Sequence, residues 1–293
     1  MSDDILHMQR CFALTARAIP GCRPNPAVGC VLVRDGRVVS EGWTHAPGNV
    51  HAEAHALQLA GEDARGATAY VSLEPCAHHG RTGPCSLALI QAGIIRVVYA
   101  MQDPNPLVAG KGLAMLRAAG VQVDGPLLES EAEAINPGFN KRMRTGMPYV
   151  RCKTGMSLDG RTAMDSGESQ WITGPEARAD VQQWRARSCA VLTGIGTVLS
   201  DDPFLTVRLY NFTGQQPLRV VLDSSGKLPP AARILQPPGE VLLVGLSSCP
   251  PALREHAGFH YRQCEAVDGR VSLADVLRVL AEEFTCNEVL VEA

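Results

Sequence analysis

Residues 51–60 read HAEAHALQLA and residues 68–85 read TAYVSLEPCAHHGRTGPC. The first stretch is rich in Ala and Leu and is stopped by Gly61, which predicts a helix. The second opens on a β-type run, TAYVSL, and a further helix is predicted from Pro84 to Ala92. Working outward, the apolar run 28–33 (VGCVLV), then Asp35-Gly36 and Val38-Val39, predicts two strands joined by a tight turn. Ile5, Met8 and Phe12, with Leu14 and Ala18, recur at helical spacing and predict an amphipathic helix over 3–18, broken by Pro20, Gly21, Pro24 and Pro26. A strand at 94–100 (IIRVVYA), a helix at about 110–119 and a charged connecting helix within 129–144 complete the first half. Strands alternating with helices predict an α/β layered sheet.

Gly146-Met147-Pro148 marks a boundary, after which the pattern restarts. A strand is predicted at 149–153, a helix at 175–187 opened by Pro175, and strands at 189–193, 218–223 and 240–245. A helix at 272–283 and a strand at 288–291 follow, giving a second α/β domain. The expected division is 1–146 and 147–293, and 293 residues agree with two domains. With 45% apolar and 19% charged residues the chain is expected to fold rather than remain disordered. Lys and Arg total 27 against 30 Asp and Glu, a net charge of −3, so there is no basic excess to hold a nucleic acid. No apolar run is long enough to span a bilayer. The acidic, polar start Met1-Ser2-Asp3-Asp4 does not read as a signal peptide, and a cytoplasmic homo-oligomer is expected. Eight of the ten cysteines (Cys11, Cys22, Cys30, Cys152, Cys189, Cys249, Cys264 and Cys286) are scattered and read as reduced thiols acting as small hydrophobes.

Cys76 and Cys85 differ because of their surroundings. His51 starts a predicted helix, Cys76 follows Pro75 after a strand, and Cys85 opens another helix. One imidazole and two thiolates suit a tetrahedral Zn²⁺ with its fourth position open. Helix N-termini favour the thiolate form, and zinc brings the pKa of bound water down to about 7. Glu53, two residues from His51, reaches the same water without ligating the metal, and serves as a proton shuttle between water, a ring nitrogen and a departing amine. This H-x-E…P-C…C order is the signature of zinc nucleobase deaminases, here with eight residues rather than two between the cysteines. A closed structural zinc with His55, His78 or His79 as fourth ligand is the bland alternative, although it leaves Glu53 unused. His78 and His79 read equally as loop residues or substrate contacts. Asn25, between two prolines, reads either as a turn residue or as a donor to a sugar hydroxyl or base edge.

PNPAVGCV, HAEAHAL and LEPCAHHGRTGPC together resemble the bifunctional pyrimidine deaminase/uracil reductase family of riboflavin biosynthesis, and MQDPNPLVAGKG and GFNKRMRTGMPYV extend the likeness. The longer spacing between the cysteines fits that family. The resemblance implies a cytidine-deaminase-like first domain, with His51, Cys76 and Cys85 on Zn²⁺ and Glu53 as proton donor. It also implies a diaminopyrimidinone ribosylamine 5′-phosphate as substrate.

The second domain carries a weaker signal. Gly194-Ile195-Gly196-Thr197 after a strand can bring backbone amides to a phosphate, but it is not a full dinucleotide fingerprint. Arg185 and Arg208 each read as a phosphate clamp or a surface ion pair, and Trp171 as a stacking platform or a core filler. The resemblance implies a dihydrofolate-reductase-like domain here. It places Gly155, Trp171, Thr197, Asp201 and Ser224 against NADPH, and Ser169, Arg185, Leu205, Arg208 and Glu292 around the phosphoribosyl substrate. The implied reaction is hydride transfer that opens the ribosyl group to a ribityl chain, with Lys153 as a further polar group nearby. In that family the last strand leads into a glycine-rich cofactor turn, so the end at Glu292-Ala293 carries the expectation of a truncated or impaired reductase. Two rivals stand beside this reading: a deaminase of another base or of RNA with a non-catalytic second domain, and a zinc-stabilised scaffold without turnover.

Overall fold

The computed structural model describes residues 2–19, 21–77, 83–169 and 171–292. It forms two compact units, Met1–Thr145 and Gly146–Ala293. The first runs α1 (Ser2–Ala18), β1 (Gly29–Arg34), β2 (Arg37–Trp43), α2 (Ala52–Ala60), β3 (Thr68–Val71), α3 (Cys85–Gln91), β4 (Arg96–Tyr99), α4 (Lys111–Ala118), β5 (Gln122–Asp124), α5 (Glu129–Ile135) and α6 (Pro137–Thr145). Its five-stranded sheet has the order β2-β1-β3-β4-β5. β1 is antiparallel to β2 and β3, whereas β3, β4 and β5 are parallel. The β1–β2 turn uses Asp35 (φ 51°) and Gly36 (φ 72°), the left-handed pair that a tight hairpin requires. β1 is buried from Gly29 to Val33 without alternation, because helices cover both faces of the strand.

Two glycines let helices approach backbone directly. A Cβ on Gly42 in β2 would stand 2.2 Å from the Ala52 carbonyl oxygen, so α2 lies against that strand with no side chain between them. A Cβ on Gly112 would stand 1.8 Å from the Pro75 carbonyl oxygen, which presses the start of α4 onto the segment leading to Cys76.

An ion-pair cluster ties α1 to the sheet. Arg96 on β4 pairs with Asp4 at 2.9 Å and with Asp124 at 2.6 Å, and the Tyr70 hydroxyl donates to Asp4. Arg96 holds the Asp4 carboxyl down to about 2 from an ordinary 3.8. The native state therefore keeps Asp4 ionised where the unfolded chain already binds a proton. Its stabilisation is complete above about pH 4 and is lost as pH falls toward about 2. Acid titration of folding should show this loss, and Asp4→Asn should flatten the limb between those values; an unchanged limb would assign the acid lability to other carboxylates.

The second unit runs β6 (Tyr149–Lys153), α7 (Pro175–Arg187), β7 (Ala190–Gly194), α8 (Ile195–Asp201), β8 (Leu218–Asp223), β9 (Val241–Gly245), β10 (Phe259–Gln263), β11 (Ala266–Val267), β12 (Arg270–Val271), α9 (Leu273–Glu282) and β13 (Glu288–Glu292). Six strands in the order β10-β9-β8-β7-β13-β6 form one sheet in which every pair is parallel. Alternate residues feed two cores. Val191, Val221, Leu243 and Leu290 pack in one, and Leu192, Val220, Leu242 and Val289 in the other. Arg219 at the start of β8 is 1% exposed and gives its guanidinium to the carbonyls of Ile234, Pro237 and Gly239, which pins the loop before β9.

The two α/β layers agree with the sequence reading. The helix expected within 129–144 is two helices, because Pro137 has no N–H to continue the ladder and Asn136 turns out of it. β5, α8, β10 and the short β11 and β12 fall outside the sequence reading.

Candidate functional site

The first site is built on α2, α3 and the segment after β3. His51 is the N-cap residue of α2, and Cys85 is the first residue of α3 behind Pro84. His51 Nδ1 lies 3.3 Å from Cys85 Sγ and 3.7 Å from Cys76 Sγ. Their ligand atoms all fall within 4.8 Å of one another, and this is the metal-ligand group found among the described residues. Donors at zinc-bond length around one tetrahedral centre stand roughly 3.5 Å apart, so both the donor set and its spacing fit zinc. The Cys85 amide donates to Cys76 Sγ at 3.3 Å. Hydrogen bonding from Cys85 and then from His51 brings the Cys76 thiol down to about 4, while the Cys85 thiol is pushed up by its bond to Cys76 and by burial.

Glu53, in the first turn of α2, is 4% exposed. Burial, then the negative charge of Cys76, pushes its carboxyl up to about 7, which is the range of a proton carrier at neutral pH. His55 does not join the group: its Nδ1 lies 3.1 Å from His45 Nε2 and accepts the Trp43 amide at 3.4 Å. His78, His79, Gly80, Arg81 and Thr82 lie outside the described residues. The Asn25 amide donates to the Cys22 carbonyl at 2.8 Å, a turn geometry.

Sequence reasoning passed over Glu74 and Ser86. Ser86 Oγ donates to the Cys76 carbonyl at 2.9 Å and so fixes the backbone of that cysteine. Glu74 is buried, and its carboxylate accepts backbone amides of Asp103, Gly110, Gly112 and Leu113. Burial also pushes the neighbouring Asp103 carboxyl up to about 6.

In the second unit the predicted residues gather along the carboxyl ends of parallel strands, the edge where open α/β sheets bind ligands. Gly155 follows β6, Thr197 lies in α8 just after β7, Ser224 follows β8, and Glu292 ends β13. Gly194 and Gly196 have open space where a side chain would stand, leaving the backbone there free to meet a phosphate. Arg185 and Glu292 form a buried pair, Nε–Oε1 2.6 Å and Nη2–Oε2 2.9 Å, and Arg185 Nη1 donates to the Thr206 carbonyl at 2.9 Å. Lys153 Nζ lies 4.0 Å from Glu292 Oε2. Arg208 is pushed down by burial and then by repulsion from Arg185, a cation facing a cation. Leu205 is buried with φ 53°.

Other predicted residues make contacts of their own. Trp171 is 70% exposed and stacks on Arg178 at 4.4 Å, so it does not fill a core. Ser169 is exposed, and Asp201, at the end of α8, accepts from Ser200. The Ser224 hydroxyl accepts the Val271 amide at 2.9 Å.

Residues 1–101 match the cytidine and deoxycytidylate deaminase zinc-binding region, and residues 148–293 match the RibD C-terminal domain. The riboflavin biosynthesis protein RibD of Escherichia coli is 56% identical over 248 residues, covering 81% of this chain and 68% of that protein. The chain belongs to the RibD family. Acinetobacter baumannii RibD has a similar structure, with a TM-score of 0.93 at 48% identity over all of this chain and 81% of that one. A Thermotoga maritima diaminohydroxyphosphoribosylaminopyrimidine deaminase/5-amino-6-(5-phosphoribosylamino)uracil reductase superposes with a TM-score of 0.89 at 35% identity, again over all of this chain and 81% of that one. Like other RibD proteins, the chain is a bifunctional enzyme of riboflavin biosynthesis with deaminase and reductase activities, a hydrolase and an oxidoreductase that take zinc and NADPH. The expected cytidine-deaminase-like α/β domain followed by an α/β reductase domain is borne out, the second matching the RibD C-terminal domain. Among the described residues no helix is long and apolar enough to cross a membrane.

Proposed function

We propose that residues 1–146 deaminate 2,5-diamino-6-ribosylamino-4(3H)-pyrimidinone 5′-phosphate and that residues 147–293 then reduce the ribosyl group of the product to ribityl. The gathering of His51, Cys76 and Cys85 beside a buried Glu53 carries this reading. His51, Cys76 and Cys85 hold the metal, whose Lewis acidity makes water acidic near neutral pH. Glu53 takes a proton from the attacking water on its carboxylate and passes it to the ring nitrogen. It then takes the remaining proton of the hydroxyl now on the ring carbon and gives it to the amine, which leaves as ammonia as the C–N bond breaks and the carbonyl forms. Helix α2 sets that geometry, because it carries both His51 and Glu53 and rests on Gly42.

For the reduction, NADPH supplies the hydride. Gly155, Trp171, Thr197, Asp201 and Ser224 are the proposed cofactor contacts, and Ser169, Arg185, Leu205, Arg208 and Glu292 surround the phosphoribosyl group. The position of Arg208 against Arg185 supports an anion there, since a phosphate relieves the repulsion between them. Glu292 keeps Arg185 in place and leaves Arg208 to meet the phosphate. The net charge of −3 supports a small-molecule rather than a nucleic-acid ligand. A homo-oligomer in the cytoplasm completes the proposal, and ten cysteines without a disulfide among the described residues fit a reducing compartment.

The test gives zinc-loaded protein the pyrimidinone ribosylamine phosphate with and without NADPH, following ammonia and nicotinamide absorbance together. Ammonia in both samples and oxidation of NADPH in one are expected. Ammonia from cytidine or a tRNA loop, but not from this phosphate, would overturn the substrate assignment.

A further inference from the structure

The buried carboxylate of Glu74 has no role in the reaction described above, yet four backbone N–H groups converge on it. Oε1 accepts Gly112 at 3.0 Å and Leu113 at 3.4 Å, while Oε2 accepts Gly110 at 2.9 Å and Asp103 at 3.3 Å. Glu74 is 3% exposed, and no salt bridge to it occurs among the described residues. Its counter-charge is the amide end of α4. That helix starts at Gly110 with no side-chain cap of its own, so Glu74 caps it from the far side of the site segment. The contact is close on the backbone side as well, where Gly112 lies against the Pro75 carbonyl. Beyond Pro75 comes Cys76, whose carbonyl is held by Ser86, and Ser86 in turn reaches Met115 of α4 at 3.3 Å.

We infer that Glu74 is a positioning residue of the deaminase: its carboxylate clamps residues 103–113 against Pro75-Cys76 and so fixes the border of the substrate site on the Cys76 side. The inference rests on the deaminase site proposed above. Glu53 sits on α2, whereas the hydrogen bonds of the Glu74 carboxylate go to residues 103–113, so the clamp governs how substrate is held more than how the proton is moved. Replacing the carboxylate by an amide turns one acceptor into a donor facing other donors and releases part of the segment.

The experiment measures Glu74→Gln and Glu74→Asp in the full chain beside the parent. Readouts are bound zinc, ammonia-release kcat and KM, and hydrogen exchange at the amides of Gly110, Gly112 and Leu113. Ammonia release by the parent tests the deaminase reading itself, so failure of that reading is seen separately. For Glu74→Gln a KM raised at least about tenfold is expected, with kcat within about threefold, one zinc retained and faster exchange at those amides. Glu74→Asp keeps the charge but is one methylene shorter, and its KM should fall between the other two. It carries the test alone if Glu74→Gln does not fold. Parent-like KM and exchange in the folded variants, or a loss of activity that only follows loss of zinc, would overturn the inference.

Discussion

Glu53→Gln is expected to stop ammonia release while leaving one zinc per chain and the reductase reaction unchanged. The amide keeps the size and hydrogen-bonding reach of the carboxyl but cannot carry a proton between water, ring nitrogen and amine. Glu53 is not among the gathered ligands, so His51, Cys76 and Cys85 should still bind metal. General acid–base catalysis by one group is worth about 10²–10⁴ in rate, and here the same carboxyl is asked to act at more than one proton transfer. The deamination rate should therefore fall by at least that factor. Metal analysis, ammonia release and NADPH oxidation on deaminated substrate check the three parts. Normal ammonia release from the zinc-loaded variant would remove Glu53 from the mechanism.

The second large effect concerns Arg185 and Glu292. Both side chains are more than nine-tenths buried, and their two short hydrogen bonds compensate each other's desolvation. Removing one partner from such a pair costs about 3–5 kcal/mol. For a unit of this size that is a fall in melting temperature on the order of 10 °C. The two single variants should not be equal. Glu292→Leu leaves Arg185, Arg208 and Lys153 without the carboxylate they surround, whereas Arg185→Met leaves Glu292 with Lys153 at 4.0 Å. Glu292→Leu is thus expected to melt lower. The double variant Arg185→Met/Glu292→Leu should recover most of the stability, because apolar replacements of a buried pair are often neutral. Its reductase activity should stay lost. Recovered NADPH oxidation in the double variant would make the pair a packing feature only.

The deaminase site was legible because its chemistry is local. His51 and Glu53 share one helical turn, and each cysteine follows a proline, the second of which marks where α3 begins. Glu74 was not legible. Its partners lie 29 to 39 residues away and are backbone amides, which carry no residue-type signal. Arg185 and Glu292 stand 107 residues apart, so each read alone as a separate contact rather than as one buried pair. In the fold, continuous apolar runs such as β7 and β9 were found because both faces of a parallel sheet are covered. β10 (FHYRQ) lies at the sheet's edge, is only half buried, and mixes aromatic with polar residues. Pairing with β9, which no window of sequence contains, makes it a strand.

The order of strands also bears on how the chain emerges from the ribosome. β13 comes after every other described strand of its sheet and lies between β6 and β7, the first two. Until Glu288–Glu292 has left the exit tunnel, β6 has no neighbour to pair with and Arg185 has no carboxylate. The first unit meets no such delay, since its described strands and the His51, Cys76 and Cys85 group lie within residues 1–145. Synthesis therefore releases a first unit whose sheet can already be complete well before the second sheet receives the strand that joins its two halves.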